Sequence, residues 1–275
     1  MASFRRSSFK NELARLETRP HIAVVIPCYG VAKQISDVVS RLPSVIDTII
    51  LADDHSLDDT ALVLDRLAAL DQRIVVIRHS QNQGVGGATK SGYQEALRRN
   101  ADLVVKIDGD GQMDPAYMEA LMLPILIGQA EYSKGNRFYD WSYVQTMPLA
   151  RKIGNLGLSF LTKLASGYWN VFDPTNGYTA ISAETLKELD FAHLEQRYLF
   201  ETSMLVELYR LGARIRQIPM PAVYMGAPSA LSVSKSFFEF STYLARATVK
   251  RFMHRYVWQD FTAVSLFVLL GTDYA

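Results

Sequence analysis

Four short apolar runs, each followed by a helical pattern, dominate the stretch from His21 to the helix after Ile107. They are Ile22–Ile26, ended by Pro27, then Thr48–Ala52, Arg73–Ile77 and Leu103–Ile107. The runs are nearly continuous in apolar residues rather than alternating, which is the pattern of parallel strands covered on both faces. Between them, Ala32–Leu42, Asp58–Leu70 and Gly86–Arg98 carry apolar residues at helical spacing. Repeated β-α units of this kind build right-handed crossovers and an open, doubly wound, mostly parallel sheet. Such sheets bind ligands at the carboxyl ends of their strands. With 275 residues, 49% of them hydrophobic, the chain is large enough to bury roughly 75% of its unfolded surface without covalent staples.

Downstream the pattern loosens. Helices are predicted over Pro115–Gly128, Lys152–Ser166 and Tyr198–Leu211, and strands over Tyr132–Arg137, Tyr178–Ser182 and Arg214–Ile218. Phe138–Ala150 reads as a loop rich in aromatic and polar residues. The expected partition is a basic arm over 1–20, a catalytic domain over 21–226 and an amphipathic segment over 227–275.

The two ends carry different signals. Met1–Arg19 holds five cations and no apolar run of signal-peptide length. Phe9, Leu13 and Leu16 can share one face of a short helix, read as a frayed arm or surface helix, with membrane-surface contact as the sharper reading. At the other end, Phe237, Phe240, Leu244, Phe252 and Tyr256 fall near one helical face. Arg246, Lys250 and His254 form another stripe, with Arg251 and Arg255 beside it. A basic amphipathic helix with aromatics on its apolar side suits a membrane interface; packing on the domain with the basic side in water is the other reading. Phe261–Leu270 is shorter than the roughly 20 residues a membrane span needs.

Charge and cysteine narrow the chemistry. The 29 cations and 28 anions leave a net charge of +1, which supplies no global field for nucleic acid. Cys28 is the one cysteine, so no intrachain disulfide forms and a reducing compartment is expected. The five histidines are scattered and offer no zinc spacing.

Three motifs follow the strand runs. Asp108-Gly109-Asp110-Gly111-Gln112 comes after the fourth. Carboxylates two apart converge on one cation when the chain turns at the intervening glycine, and hard oxygen ligands with diphosphate oxygens suit Mg²⁺ or Mn²⁺. Asp108, Asp110 and Gln112 are therefore the candidate metal residues. Asp53-Asp54-His55-Ser56 follows the second strand. Carboxylates there can accept hydrogen bonds from a base or a ribose hydroxyl, while Ser56 or Asp58 can cap the next helix. Asn82-Gln83-Gly84-Val85-Gly86-Gly87 follows the third, where glycines permit close backbone approach and the helix N-terminus favours anions. It is neither a Walker loop nor a dinucleotide fingerprint.

As an ordered set, Ala23-Val24-Val25-Ile26-Pro27-Cys28-Tyr29 and these three motifs resemble those of family-2 inverting glycosyltransferases. The resemblance runs from about Ile22 to Tyr224. It implies a nucleotide-diphospho-sugar transferase (GT-A) fold, with Pro27, Tyr29, Asp53, Asp54, Gly84 and Asp108 as donor-binding residues. Gly30-Val31 stands where the family often has Asn-Glu. Further on, Gly135-Asn136-Arg137-Phe138, Met147-Pro148-Leu149-Ala150-Arg151 and Asp173-Pro174-Thr175-Asn176-Gly177-Tyr178 resemble the polyprenyl-phosphate, dolichol-phosphate mannose synthase-like branch. That resemblance implies that Arg137 and Arg151 hold the lipid phosphate, with Asn155 adding a hydrogen bond. Guanidinium forks suit the task; pairing of Arg137 with an acid, and Arg151 as a plain helix start, are the structural readings.

The resulting expectation is a metal-dependent inverting transferase. It would move a hexose from a nucleotide-sugar donor to a polyprenyl phosphate on the cytoplasmic membrane face, with room for a homo-oligomer. The catalytic set would be Asp108, Asp110, Asp173 and Glu201. An anionic phosphate acceptor needs no strong base; a sugar hydroxyl acceptor would, and Glu201, then Asp173, are the candidates. A sugar nucleotidyltransferase and a non-catalytic nucleotide-sugar binding protein are the rivals. The first should carry an Arg-containing glycine loop after the first strand, which Pro27-Cys28-Tyr29-Gly30 is not.

Overall fold

A computed structural model describes residues 2–139, 149–197, 199–221, 233–253 and 266; of residues 2–8, 149–156, 158 and 233–241 it describes only the backbone. The central sheet has the order β3-β2-β1-β4-β6-β5-β7. Its first half is the expected one. Strands β1 (Ile22–Cys28), β2 (Thr48–Asp53), β3 (Ile74–Arg78) and β4 (Leu103–Lys106) are parallel throughout. Every residue of β1, β2 and β4 is buried, which is why these segments read as continuous apolar runs. Strand β1 continues through Pro27 instead of stopping there. Its pairing with β4 ends at Val25, while Pro27 and Cys28 still run beside Ala52 and Asp53 of β2. A strand with one neighbour tolerates a proline.

The second half is mixed. Strand β6 (Thr179–Ser182) lies antiparallel between β4 and β5 (Tyr132–Asn136), and β7 (Ile215–Pro219) is parallel to β5. Both faces are covered. One holds Ile35 and Val38 of α2 (Ile35–Ser40) and Met118 and Leu121 of α5 (Met118–Leu126). The other holds Tyr93 of α4 (Gly84–Arg98) with Phe200, Met204 and Leu208 of α8 (Phe200–Arg210). Helix α3 (Thr60–Leu70) flanks the β3 edge.

The amino-terminal arm is a docked helix, α1 (Ala2–Arg15). Phe9 is fully buried in the core that also holds β1, and Leu13 packs beside it. The frayed-arm expectation is thereby corrected: one large aromatic at the right helical position is enough to seat a polar helix. A short helix that periodicity did not reveal, α7 (Ala183–Glu188), starts where the Ser182 side chain accepts a hydrogen bond from Thr185 N.

Helix α9 (Val233–Met253) packs against α6 (Leu149–Ser166). Leu244 and Ala247 are buried with Ala165, Leu161 and Val206, and Arg251 Nε donates to the Leu164 carbonyl at 3.0 Å. The described part of the basic amphipathic segment thus turns an apolar face to the domain and leaves Arg246 and Lys250 exposed. The side chains of Phe237 and Phe240, together with His254, Arg255, Tyr256 and the Phe261–Leu270 run apart from Leu266, lie outside the described residues. Among the described residues no helix is long and apolar enough to cross a membrane.

Candidate active site

The carboxyl ends of β1, β2 and β4 meet at one rim. A side chain at Gly109 would come within 3.3 Å of the Pro27 carbonyl, so the Asp108–Asp110 turn sits directly against the end of β1. Gly111 adopts φ +78, a left-handed conformation that glycine takes at little cost, and Gln112 N donates to Asp110 Oδ1 at 3.0 Å. Asp108, Asp110 and Gln112 line a cleft whose other wall carries Arg137, Asn176 and Gly177. The structure therefore brings the acidic motif and one of the two expected phosphate arginines to a single opening.

Beneath the floor at Gly177 lies a charge cluster that sequence reasoning missed. Lys106 Nζ is buried and donates to Asp108 Oδ1 at 2.8 Å and Glu201 Oε1 at 3.1 Å. Burial opposes its charge, but the Asp108 and Glu201 carboxylates outweigh that and hold its pKa above the ordinary lysine value. A methyl group at Gly177 would sit 2.4 Å from Lys106 Nζ and 3.0 Å from Asp108 Oδ2, so a larger residue would displace the side chains of this cluster. A second lysine, Lys134 on β5, is also buried and donates to the Asn176 carbonyl. Burial pushes its pKa down to about 8, against the opposing pull of Glu201 and Asp173. A lysine inside an apolar strand was the sequence signal for Lys106, whereas Lys134 lies in a polar strand that gives none.

Arg137 and Asp173 form a forked pair. Nε donates to Asp173 Oδ2 at 2.8 Å and Nη2 to Oδ1 at 2.9 Å, and the Arg137 backbone N–H adds a bond to Oδ2. Asp173 is fully buried while the Arg137 side chain is 32% exposed, toward the cleft it lines. Asp173 thus has both oxygens committed and no open face. A general base must reach the proton it takes, and both Asp173 oxygens are turned to Arg137 here. Glu201 keeps 12% exposure beside Lys106. Arg151 and Asn155 lie in the first turns of α6, and their side chains are outside the described residues.

The donor-side residues divide. Tyr29 is 53% exposed at the rim. Asp53 is buried and accepts from Ser56 N at 3.0 Å. Asp54 is buried with both oxygens engaged: Gln83 N and His79 Nδ1 on Oδ1, each at 2.8 Å, and Gly84 N on Oδ2 at 2.7 Å. Asp54 therefore builds the glycine-rich turn rather than presenting a free carboxylate. The glycines there serve the chain itself. A side chain at Gly84 or Gly86 would collide with the backbone of residues 195–197, and Gly87 N donates to the Gln196 carbonyl at 3.0 Å.

The donor chemistry fits a divalent ion. Burial, reinforced by the neighbouring charge of Asp108, raises the Asp110 pKa, which a cation would reverse. Among the described residues no three His, Cys, Asp or Glu side chains converge. Asp108, Asp110 and the Gln112 amide would hold such an ion only with further oxygen ligands from phosphate or water, as Mg²⁺ and Mn²⁺ accept.

Comparison with known proteins agrees with this geometry. A model of glycosyl transferase family 2 matches residues 23–190. The chain belongs to glycosyl transferase family 2. It is thereby a glycosyltransferase, which sets aside the nucleotidyltransferase and non-catalytic rivals. Among its relatives, the UDP-N-acetylglucosamine–dolichyl-phosphate N-acetylglucosaminyltransferase of Methanococcus voltae is 34% identical over 216 residues, covering 74% of this chain and 86% of that one. The undecaprenyl-phosphate mannosyltransferase of Micrococcus luteus is 28% identical over 209 residues, covering 74% and 83%. The glucosyl-3-phosphoglycerate synthase of Mycobacterium tuberculosis, solved with Mn²⁺, UDP and glucosyl-3-phosphoglycerate, superposes with a TM-score of 0.62 at 20% identity, over 89% of this chain and 83% of that one. That likeness places the family-2 chain in the same α/β fold.

Proposed function

We propose that this transferase moves a hexose from a nucleotide-sugar to a polyprenyl phosphate at the cytoplasmic face of a membrane, with inversion at the anomeric carbon. The observation that carries the reading is the cleft itself: an acidic pair suited to a cation on one wall, a guanidinium fixed by a buried aspartate on the other. Two sites of opposite charge fit two anionic partners, one bridged through a cation and one gripped directly. The relatives named for dolichyl and undecaprenyl phosphate support the second partner. The neighbour solved with Mn²⁺ and UDP supports the first.

A bound Mg²⁺ or Mn²⁺ would neutralise charge developing on the departing nucleoside diphosphate. Asp110 and Asp108 would hold it, with Gln112 beside them. Lys106 orients Asp108. Arg137, aimed by Asp173, would hold the acceptor phosphate, with Arg151 and Asn155 at the start of α6 completing the grip. A phosphate oxygen, already anionic, attacks the anomeric carbon as the bond to the diphosphate breaks, and the diphosphate leaves with the bonding electrons. No proton need be removed, so the reaction depends on positioning and charge stabilisation, consistent with the engagement of Asp173.

The test is a product assay on the full chain. Nucleotide-sugars are offered with short-chain polyprenyl phosphate and with Mg²⁺, Mn²⁺ or chelator, and the products identified by mass spectrometry. A glycosyl phospholipid formed only with metal supports the reading. Transfer to a glycan hydroxyl with none to the lipid phosphate rejects it. Arg137→Ala should lower affinity for the lipid phosphate while nucleotide binding without lipid stays near wild type.

A further inference from the structure

We propose that Lys134, fully buried on β5, is a positioning residue of the cleft's acceptor wall: by holding the Asn176 carbonyl it fixes the 173–177 turn on which Arg137 is aimed. The proposal rests on the acceptor reading for its purpose and on the hydrogen bonds of the turn for its geometry. One strand end grips this turn at two points. Arg137, just past β5, holds it where the cleft is open, through the fork to Asp173 and through Nη2 donating to Thr175 Oγ1 at 3.3 Å. Lys134, three residues earlier and shut away from solvent, holds it from beneath, with Nζ donating to the Asn176 carbonyl. Arg137, Thr175, Asn176 and Gly177 line the cleft, so the turn is wall and Lys134 is its support.

The sheet ladder does not reach the turn. β5 and β6 pair from Tyr132 to Lys134, opposite Ile181 to Thr179, and Gly135 N donates to the Tyr178 carbonyl at 2.9 Å. From Gly177 back to Asp173, the hydrogen bonds to the end of β5 are those made by Lys134 and Arg137. Asn176 is itself closely seated. It is buried, its Oδ1 accepts from Tyr178 N at 3.0 Å, and a methyl group at Gly135 would sit 2.5 Å from its Nδ2. A carbonyl held there by a fixed donor sets where Thr175 and Asp173 lie, and through them the guanidinium.

The charge of Lys134 matters as well as its donor. A buried ammonium is costly unless it is paired and hydrogen-bonded. Glu201 of α8 and Asp173 of the turn favour that charge, while Lys106 of β4 and Arg137 oppose it. Burial outweighs the two carboxylates and brings the Lys134 pKa down to about 8. Below that pH the wall has a second cation behind Arg137 and a charge-assisted bond to the turn, about twice as strong as a neutral one. Above it the charge is lost and the bond weakens. Affinity for an anionic acceptor should therefore fall as pH rises through this range, whereas donor binding on the opposite wall should not follow it.

The test is steady-state kinetics of the full chain with a nucleotide-sugar and short-chain polyprenyl phosphate in detergent, joined to amide hydrogen exchange over residues 173–178. Lys134→Met should raise the acceptor KM about tenfold. It should leave nucleoside diphosphate affinity, measured with Mg²⁺ and without acceptor, unchanged. It should also speed exchange at Asn176 and Tyr178, whose amides bond within the turn. From pH 7 to pH 9 the acceptor KM should rise more steeply in wild type than in Lys134→Met, which removes the contribution of the acceptor's own phosphate from the comparison. Lys134→Gln, which keeps an amide donor without the charge, replaces the apolar variant if that one folds poorly. An unchanged acceptor KM, or equal pH profiles, overturns the proposal. So does equal loss of donor and acceptor binding, which would make Lys134 a residue of general stability. If exchange in the turn quickens in the variant but wild type transfers no sugar to lipid phosphate, Lys134 still positions the turn and the acceptor reading falls.

Discussion

The two halves of the sheet solve opposite problems. In β3-β2-β1-β4 the strands are mostly apolar, and the polar groups beyond them satisfy one another between the turns that follow neighbouring strands: Ser56 Oγ accepts from Gly30 N, Thr60 Oγ1 from Val31 N, and Asp54 from the turn opening α4. In β6-β5-β7 the strands bury polar and charged groups, Ser133, Lys134 and Asn136 among them: Ser133 Oγ donates to the Leu121 carbonyl, Lys134 Nζ to the Asn176 carbonyl, and Asn136 Oδ1 accepts from Phe138 N. The link between halves is Lys106, on β4, which reaches Glu201 on α8 as well as Asp108. The acidic turn after β4 is thus joined to α8 through a buried ion triad. Buried ions of this kind contribute little net stability when paired and cost much when one partner is lost.

Breaking the link should give the largest effect. Lys106→Met leaves two carboxylates without their buried counter-charge and should cost about 3–5 kcal/mol in urea unfolding. Adding Glu201→Gln should recover part of it. If Lys106→Met unfolds like wild type, the halves are not joined by this triad. Next, Asp110→Asn should reduce metal-dependent transfer about 10²–10³-fold while thermal unfolding stays at or above the wild-type temperature, because a buried charge has been removed. Parallel loss of fold and activity would instead make Asp110 a structural residue.

Asp54→Ala tests the glycine-rich turn. It orphans the amides of Gln83 and Gly84, so a loss of about 1–3 kcal/mol in stability is expected. A raised KM with unchanged unfolding would mean that Asp54 contacts donor after all.

The smallest effect is a pH slope. Lys134 has its pKa lowered to about 8 from an ordinary 10.5. Between those values the unfolded chain binds the proton that the folded chain has released, so Lys134 makes stability rise with pH there, by at most about 1.4 kcal/mol per unit. Below pH 8 both states are protonated and the slope vanishes. Comparing wild type with Lys134→Met in denaturant melts from pH 7 to pH 9 isolates it; identical slopes would show that Lys134 titrates as an exposed lysine.

Much of this was legible in the chain. Continuous apolar runs marked β1, β2 and β4 because strands buried on both faces have no polar side to show. Asp108 to Gln112 was legible because a strand end followed by carboxylates around a glycine is a local arrangement, and Arg137 fell in the same cleft. The docking of α1 escaped notice because it turns on a single buried ring, Phe9, in an otherwise polar helix.

What the sequence by itself determined, then, is every feature whose cause lies within a few residues: strand burial, turn glycines, the acidic pair at a strand end, and the family. What only the tertiary structure decided is which charges meet. Lys106 and Glu201 are far apart in sequence, as are Arg137 and Asp173, and Gly84 and Gly86 owe their lack of a side chain to residues 195–197. Such pairings are set by the crossing of segments in three dimensions. A buried ion needs a partner within about 4 Å, and only the assembled sheet brings one there.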